Sequence, residues 1–289
     1  MKVTILGIDG LDFETVEELN LVNIKQAAYG KLSIPDECYI ELVNGRRSPW
    51  TPLCWLTILT GKVPPERYRM NRKIQFDNRL LEAARWHLGK YLGFIKGKRK
   101  ILWKLGFKPS RVATSIKKDP ISKTLPNIFD LTEDAIVFNV PTYSENWRIN
   151  PKKKLMNRLE LLPFADEEDR LMKAYVSSIL GRRADYNLLM AYSRVLDNYG
   201  HQMYRTEQYF YRYRMMDVFV REVSRNVEGL FLIVSDHGFR RLEGTDLGGE
   251  HSDFAFYSQN IPMNVSMNSL TDVYSLVEKA IGMPPSSNE

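Results

Sequence analysis

The sequence predicts an α/β fold: a doubly wound, mostly parallel sheet with helices on both faces. Three observations predict it. The runs Lys2 to Ile8 and Leu230 to Ser235 are short and almost wholly apolar, as strands buried on both faces are. Segments of strand character alternate with segments of helical periodicity along the 289 residues. Two strand-like runs close on Asp9-Gly10 and Asp236-His237-Gly238, where such a sheet delivers the chain to a ligand crevice.

The elements follow in order. Lys2 to Ile8 is the first strand, and Phe13 to Tyr29 reads as a helix closed by Gly30. Cys38 to Val43 reads as a second strand. Thr51-Pro52 opens a short apolar helix that ends near Thr60-Gly61, with proline in its favoured first turn. Leu125 to Leu131 is helical, and Ala135 to Val140 is a strand ending at Pro141. Asp166 to Leu180 has helical periodicity, with acidic residues suited to a first turn. Tyr186 to Tyr192 is a strand, and Gln202 to Val227 is a long helix rich in Tyr and Arg. After the Leu230 to Ser235 strand come a short strand at Phe254 to Tyr257 and a final helix, Leu270 to Ile281, closed by Gly282.

Composition narrows the function classes. With 44% hydrophobic and 26% charged residues the chain is ordinary for a globular protein. Two cysteines, Cys38 and Cys54, make neither a disulfide scaffold nor a zinc ribbon, and Cys54 reads as a small packing residue. No apolar run approaches the ~20 residues of a membrane span. The opening run reaches Asp9 too soon for the apolar core of a secretory signal, so a cytoplasmic location is expected.

The net charge of +6 is unevenly placed. Residues 62–119 hold 17 Lys and Arg against 4 Asp and Glu, a local balance of +13, which leaves −7 for the rest. The expected organisation is therefore a core, 1–61 and 120–289, with a basic, mainly helical cap or insertion at 62–119. A solvated cap packing its apolar face on the core is one reading of that segment. An anion-facing surface is the other, in which the chain is an anionic-lipid or nucleic-acid binding protein, with membrane contact through 91–107.

Metal-type residues gather at strand ends. They are Asp9, then Asp197 with His201 four residues on, then Asp236-His237, with His251 in a loop, Gly248 to Ser252. Three of the chain's 4 His are among them. Singly, each has a bland explanation as a turn, cap or exposed residue. Jointly they form the carboxylate–imidazole set of Zn²⁺, Mn²⁺ or Fe. Six ligands exceed one tetrahedral ion, so two divalent ions are expected, the arrangement used for phosphoryl displacement. Thr51, at a helix start, is either an N-cap or a nucleophile lying among free backbone N–H groups. Tyr199 and Tyr204 flank His201 and are candidate substrate contacts, against an ordinary packing role.

These residues resemble the type I phosphodiesterase/nucleotide pyrophosphatase family of the alkaline phosphatase superfamily, in its compact prokaryotic and archaeal form. Gly7 to Asp12 looks like its first metal motif, and Thr51 to Gly61 like its nucleophile motif. Asp197 to His201 keeps the Asp-x-x-x-His spacing, Ser235 to Phe239 looks like its most specific signature, and Gly249-Glu250-His251 supplies the last ligand. The resemblance implies an alkaline-phosphatase-like fold and two ions, most readily Zn²⁺. It places one on Asp197, His201 and His251, and the other on Asp9, Asp236, His237 and the Thr51 hydroxyl. It further implies that Thr51 attacks phosphorus and carries a covalent intermediate in the hydrolysis of phosphodiester or pyrophosphate bonds in a small, nucleotide-type substrate. No obligate nucleic-acid partner is implied. A phosphomonoesterase or phosphotransferase would use the same site. The family's His-Gly after the nucleophile motif is absent from Val63 to Asn71; Asn71, with Arg69 or Arg72, is the candidate phosphoryl contact there.

Overall fold

The computed structural model describes residues 1–41, 46–63, 74–75, 110–111, 125–144, 161–242 and 248–283. Its elements are β1 (Val3–Ile8), α1 (Phe13–Glu18), α2 (Val22–Lys25), β2 (Ala28–Ser33), β3 (Tyr39–Glu41), β4 (Arg47–Pro49) and α3 (Thr51–Thr60). There follow β5 (Ile74–Gln75), β6 (Ser110–Arg111), β7 (Ala135–Phe138), α4 (Leu162–Gly181), β8 (Leu188–Ser193) and α5 (Val195–Met203). The chain continues through α6 (Glu207–Ser224), β9 (Leu230–Val234), β10 (Phe239–Arg241), β11 (Gly249–His251), β12 (Phe254–Gln259) and α7 (Asp272–Gly282).

The main sheet has the strand order β2-β12-β9-β1-β8-β7. The four strands β9, β1, β8 and β7 are mutually parallel, whereas β12 runs antiparallel to both β9 and β2. The sheet is thus mostly parallel, as expected, with an antiparallel edge. β1, β8 and β9 are buried along their full length because helices cover both faces. Val3, Ile5, Leu188, Met190, Leu230 and Leu232 pack with α3 and α7 on one face. Leu6, Ile8, Leu189, Ala191, Phe231 and Ile233 pack with α1, α2, α4, α5 and α6 on the other. In α6 the buried positions Tyr209, Tyr213, Met216, Phe219, Val220 and Val223 form one stripe, so the Tyr-rich helix seals the sheet.

Several expected elements differ. The Phe13 to Tyr29 helix is two short helices and a strand. Asn20 and Gln26 adopt left-handed backbone (φ 47° and 54°), and the Asp217 carboxylate accepts from the amides of Asn23 and Ile24 at the start of α2. Residues 28–33 then pair with β12, and Gly30 lies inside that strand rather than at a helix end. Cys38 to Val43 contributes Tyr39–Glu41 to a small hairpin with β4, apart from the main sheet. Residues 128–131 form a 3₁₀ turn with an Asn127–Asp130 capping box. α4 begins at Leu162 with Pro163 in its first turn. Asp166, Glu168 and Asp169 therefore lie deeper in the helix and bind Arg212, Arg194 and Ser193 instead of the helix end. The Gln202 to Val227 helix breaks at Arg205 (φ 60°), so Gln202 and Met203 end α5 while Thr206 caps α6.

The basic segment lies almost wholly outside the described residues, and with it Arg69, Asn71, Arg72, the stretch 91–107 and the helical character of the cap. Within it, β5 and β6 pair antiparallel. Among the described residues no helix is long and apolar enough to cross a membrane.

Two glycines bring α5 against the end of β1. Gly10 has φ +71°, and a Cβ there would meet the Phe239 ring at 2.6 Å and the Asp197 Cα at 2.9 Å. A Cβ on Gly200 would lie 2.5 Å from the Phe239 ring. Alanine gains about 1 kcal/mol of helix propensity over glycine, yet overpacking of a filled core costs about 1–3 kcal/mol. Gly200→Ala is expected to lower the urea midpoint; an unchanged or raised midpoint would show that the ring is not seated there.

Candidate metal centre

The parallel register builds the centre. Gly7 pairs with both Tyr192 and Val234, so the next residues of β1 and β9 leave the sheet side by side. Asp9 comes out of one strand end and Asp236-His237 out of the other, all three buried. The Asp9 amide donates to Ser193 O at 2.9 Å, tying this end to β8. Asp197 and His201 are one helical turn apart on α5, which makes them neighbours on one face. His251 is on a strand, β11, paired opposite Phe239, rather than in a free loop. Thr51 is the first residue of α3; Trp50 takes the N-cap position without a side-chain cap bond.

All seven residues meet in one place. His201 Nε2 and His251 Nε2 are 2.9 Å apart, and each lies near Asp197 Oδ1, at 3.3 and 3.5 Å. His237 Nε2 lies 3.4 Å from Asp9 Oδ1, 3.3 Å from Asp236 Oδ2 and 3.2 Å from Thr51 Oγ1. Ligand atoms of Asp197, His201 and His251 fall within 4.8 Å of one another, as do those of Asp9, Asp197 and His237. Asp197 belongs to both groups, and the His237 and His251 rings stack with centroids 3.5 Å apart.

The three imidazoles are oriented alike. Nδ1 of His201 faces Gly249 O at 3.3 Å, that of His237 faces Gly238 O at 3.2 Å, and that of His251 faces Pro49 O at 2.9 Å. A carbonyl only accepts, so each Nδ1 carries the proton and each Nε2 presents a lone pair inward. The Thr51 hydroxyl then donates to His237 Nε2. Facing these lone pairs are carboxylate oxygens without donors of their own: Asp9 Oδ1, Asp197 Oδ1 and both oxygens of Asp236 are buried and unpartnered. Acceptors crowded against acceptors are unfavourable unless a cation stands among them. The residues therefore fit divalent ions.

Electrostatics agree. Burial, then the Asp197 charge, pushes the Asp9 carboxyl up to about 7. Burial and then Asp9 raise Asp236 well above the usual carboxylate range. Burial also opposes the Asp197 charge, but the His201 and His251 imidazoles outweigh it and hold that carboxyl well below its usual range. His201 is raised because Asp197 more than offsets its burial. His237 is held well below the ordinary imidazole value by burial and by His251, which keeps it neutral.

Other sequence candidates face elsewhere. Tyr199 is buried beside α4 and α6, and its hydroxyl binds Asp166 and Arg212. Tyr204 donates to Phe239 O at 3.4 Å. The end of α3 offers fewer free donors than expected: Pro52 has no N–H, and the Leu53 and Cys54 amides both donate to Trp50 O. Sequence reasoning missed Tyr192, whose hydroxyl donates to Asp9 Oδ2. It also missed Asp12, which accepts from the amides of Thr15 and Phe239 and so ties the β1 end to β10. The Asp12 spacing before Thr15 is an N-cap signal visible in sequence; the Tyr192 contact depends on strand register alone.

The architecture is that of a solved hydrolase: the chain shares the fold of a phosphonoacetate hydrolase. A phosphonoacetate hydrolase from Sinorhizobium meliloti superposes with a TM-score of 0.53 at 9% identity, over 98% of this chain and 96% of that one. A Pyrococcus horikoshii protein gives 0.49 at 9% identity over 97% of each chain. Murine ectonucleotide pyrophosphatase/phosphodiesterase 5 gives 0.41 at 13% identity, over 84% of this chain and 59% of that one. No protein-family model matches the sequence, and no curated protein matches it.

Ion binding must displace the protons that the raised Asp9 and Asp236 hold without one. Affinity for Zn²⁺ or Mn²⁺ should therefore rise with pH. From Asp9 alone, titrating near 7, the gain between pH 6 and pH 8 is about tenfold. Calorimetric titration checks this; equal affinity at the two pH values would contradict the assignment.

Proposed function

We propose that the chain is a metal-dependent phosphohydrolase that cleaves phosphodiester or pyrophosphate bonds of small, nucleotide-type substrates, with Thr51 as nucleophile. The observation that carries this is the crowding of unpartnered carboxylate oxygens and imidazole lone pairs beside the Thr51 hydroxyl. Asp197, His201 and His251 would hold one ion, and Asp9, Asp236, His237 and Thr51 the other. The donor set suits Zn²⁺, with Mn²⁺ or Fe as alternatives. Bound there, two such ions supply Lewis-acid stabilisation to the attacking and leaving oxygens of an in-line displacement.

The chain's own residues do the rest. His237, anchored through Nδ1, keeps Nε2 beside the Thr51 oxygen, so that both would be ligands of the same ion. Thr51 Oγ1 bonds to phosphorus as the bond to the leaving oxygen breaks; the hydroxyl proton passes to solvent water, and solvent water protonates the leaving oxygen. Water then cleaves the phosphothreonine ester and restores the hydroxyl. The positive end of the α3 dipole favours the anionic phosphoryl group at this position.

Thr51→Ala is expected to lower turnover of an aryl phosphodiester by at least about a thousandfold while the ion on Asp197, His201 and His251 is retained. Full retained activity would sink the nucleophile assignment. Parallel rates on an aryl monoester and on phosphonoacetate, from the same preparation, decide the substrate class. Faster turnover of either than of the diester would replace it.

A further inference from the structure

Tyr192 is the buried partner that the proposed chemistry leaves unused. It lies on β8, paired with Gly7 of β1, two residues before Asp9. Its ring is 1% exposed, and its hydroxyl donates to Asp9 Oδ2. The other oxygen, Asp9 Oδ1, is the one left buried without a donor and aimed at His237 Nε2. The ring is itself held. Trp55 of α3 meets it edge-on at 5.3 Å between centroids, and Trp55 fits because Gly7 has no side chain: a Cβ there would lie 2.7 Å from the Trp55 ring.

We propose that Tyr192 is a positioning residue for the metal centre: by occupying Asp9 Oδ2 it makes Asp9 a single-oxygen ligand, with Oδ1 committed to the ion shared with Asp236 and His237. The inference rests on the two-ion reading above. A carboxylate with both oxygens free can chelate through either or both, or rotate away. One held by a fixed donor has a single direction, which is how outer hydrogen bonds set the affinity of a metal site. The device touches Asp9 alone; in the other group, His201 and His251 are oriented by backbone carbonyls.

A built-in comparison exists on the same pair of strands. Tyr186 precedes β8, is 4% exposed, and shares a 2.9 Å hydrogen bond with Thr4 Oγ1 of β1, five residues before Asp9. Losing that hydroxyl removes a similar buried bond between neighbouring segments without touching the centre.

The test is Zn²⁺ stoichiometry and affinity in the full chain, by elemental analysis after dialysis and by calorimetry. Wild type is expected to hold two ions. Tyr192→Phe should keep one at wild-type affinity and bind the second about 10- to 100-fold more weakly. Tyr186→Phe should hold both, whatever it loses in melting temperature. Replacing Tyr192 with 4-aminophenylalanine, which keeps ring and donor, should restore the second ion, and it carries the test if Tyr192→Phe does not fold. Two ions at wild-type affinity in Tyr192→Phe overturn the inference, as does a folded 4-aminophenylalanine variant with a weak second ion. In either case the two-ion reading stands. A wild type that binds no ion overturns both.

Discussion

The in-register parallel pairing of β1 with β8 and β9 is the constraint on which the rest of the molecule depends. Side chains alternate faces along a strand, so a slip of one residue would send Asp9 to the other face and leave Asp236 facing an apolar wall. The pairing of Gly7 with Tyr192 and Val234 removes that freedom. It is held from both sides by apolar cores, one beneath α3 and α7 and one beneath α4, α5 and α6. A centre made of three carboxylates opposes folding by mutual repulsion and lost hydration. The two cores supply the offsetting burial.

Around that register the smaller features form one support. Phe239 fills the space between β1, α5 and β11, in contact distance of Gly10, Gly200 and Gly249. Its backbone amide binds Asp12, and its ring meets His201 and His251 edge-on. Tyr213 donates to Gly10 O and accepts from the Asp12 amide, so the helix behind the sheet grips the loop that carries Asp9. α4 performs the same service for β8: Asp169 accepts from Ser193, and Glu168 binds Arg194, directly before the helix that carries Asp197.

Much of this was legible in the sequence, for physical reasons that also explain the failures. β1 and β9 were plain because strands covered on both faces are continuously apolar. The ligands were plain because acidic residues and histidine directly after such strands have few structural explanations in combination. The antiparallel edge was hidden because β2 draws its identity from β12, more than two hundred residues away, and not from its own periodicity. Tyr199 looked like a site residue by proximity to His201 in sequence, yet two positions along a helix point to different sides. The acidic residues of α4 suggested a helix start, whereas Arg194 and Arg212 account for them.

The anchoring of all three imidazoles to main-chain carbonyls, at Pro49, Gly238 and Gly249, bears on how such a centre endures. A ligand steered by a neighbouring side chain is lost when that neighbour mutates. A ligand steered by a peptide oxygen keeps its heading through any substitution that leaves the local path of the backbone intact. The aim of the three rings is thus a property of the fold and only weakly of residue identity. Substitutions elsewhere in the chain can therefore accumulate while the three imidazoles stay aimed at one point.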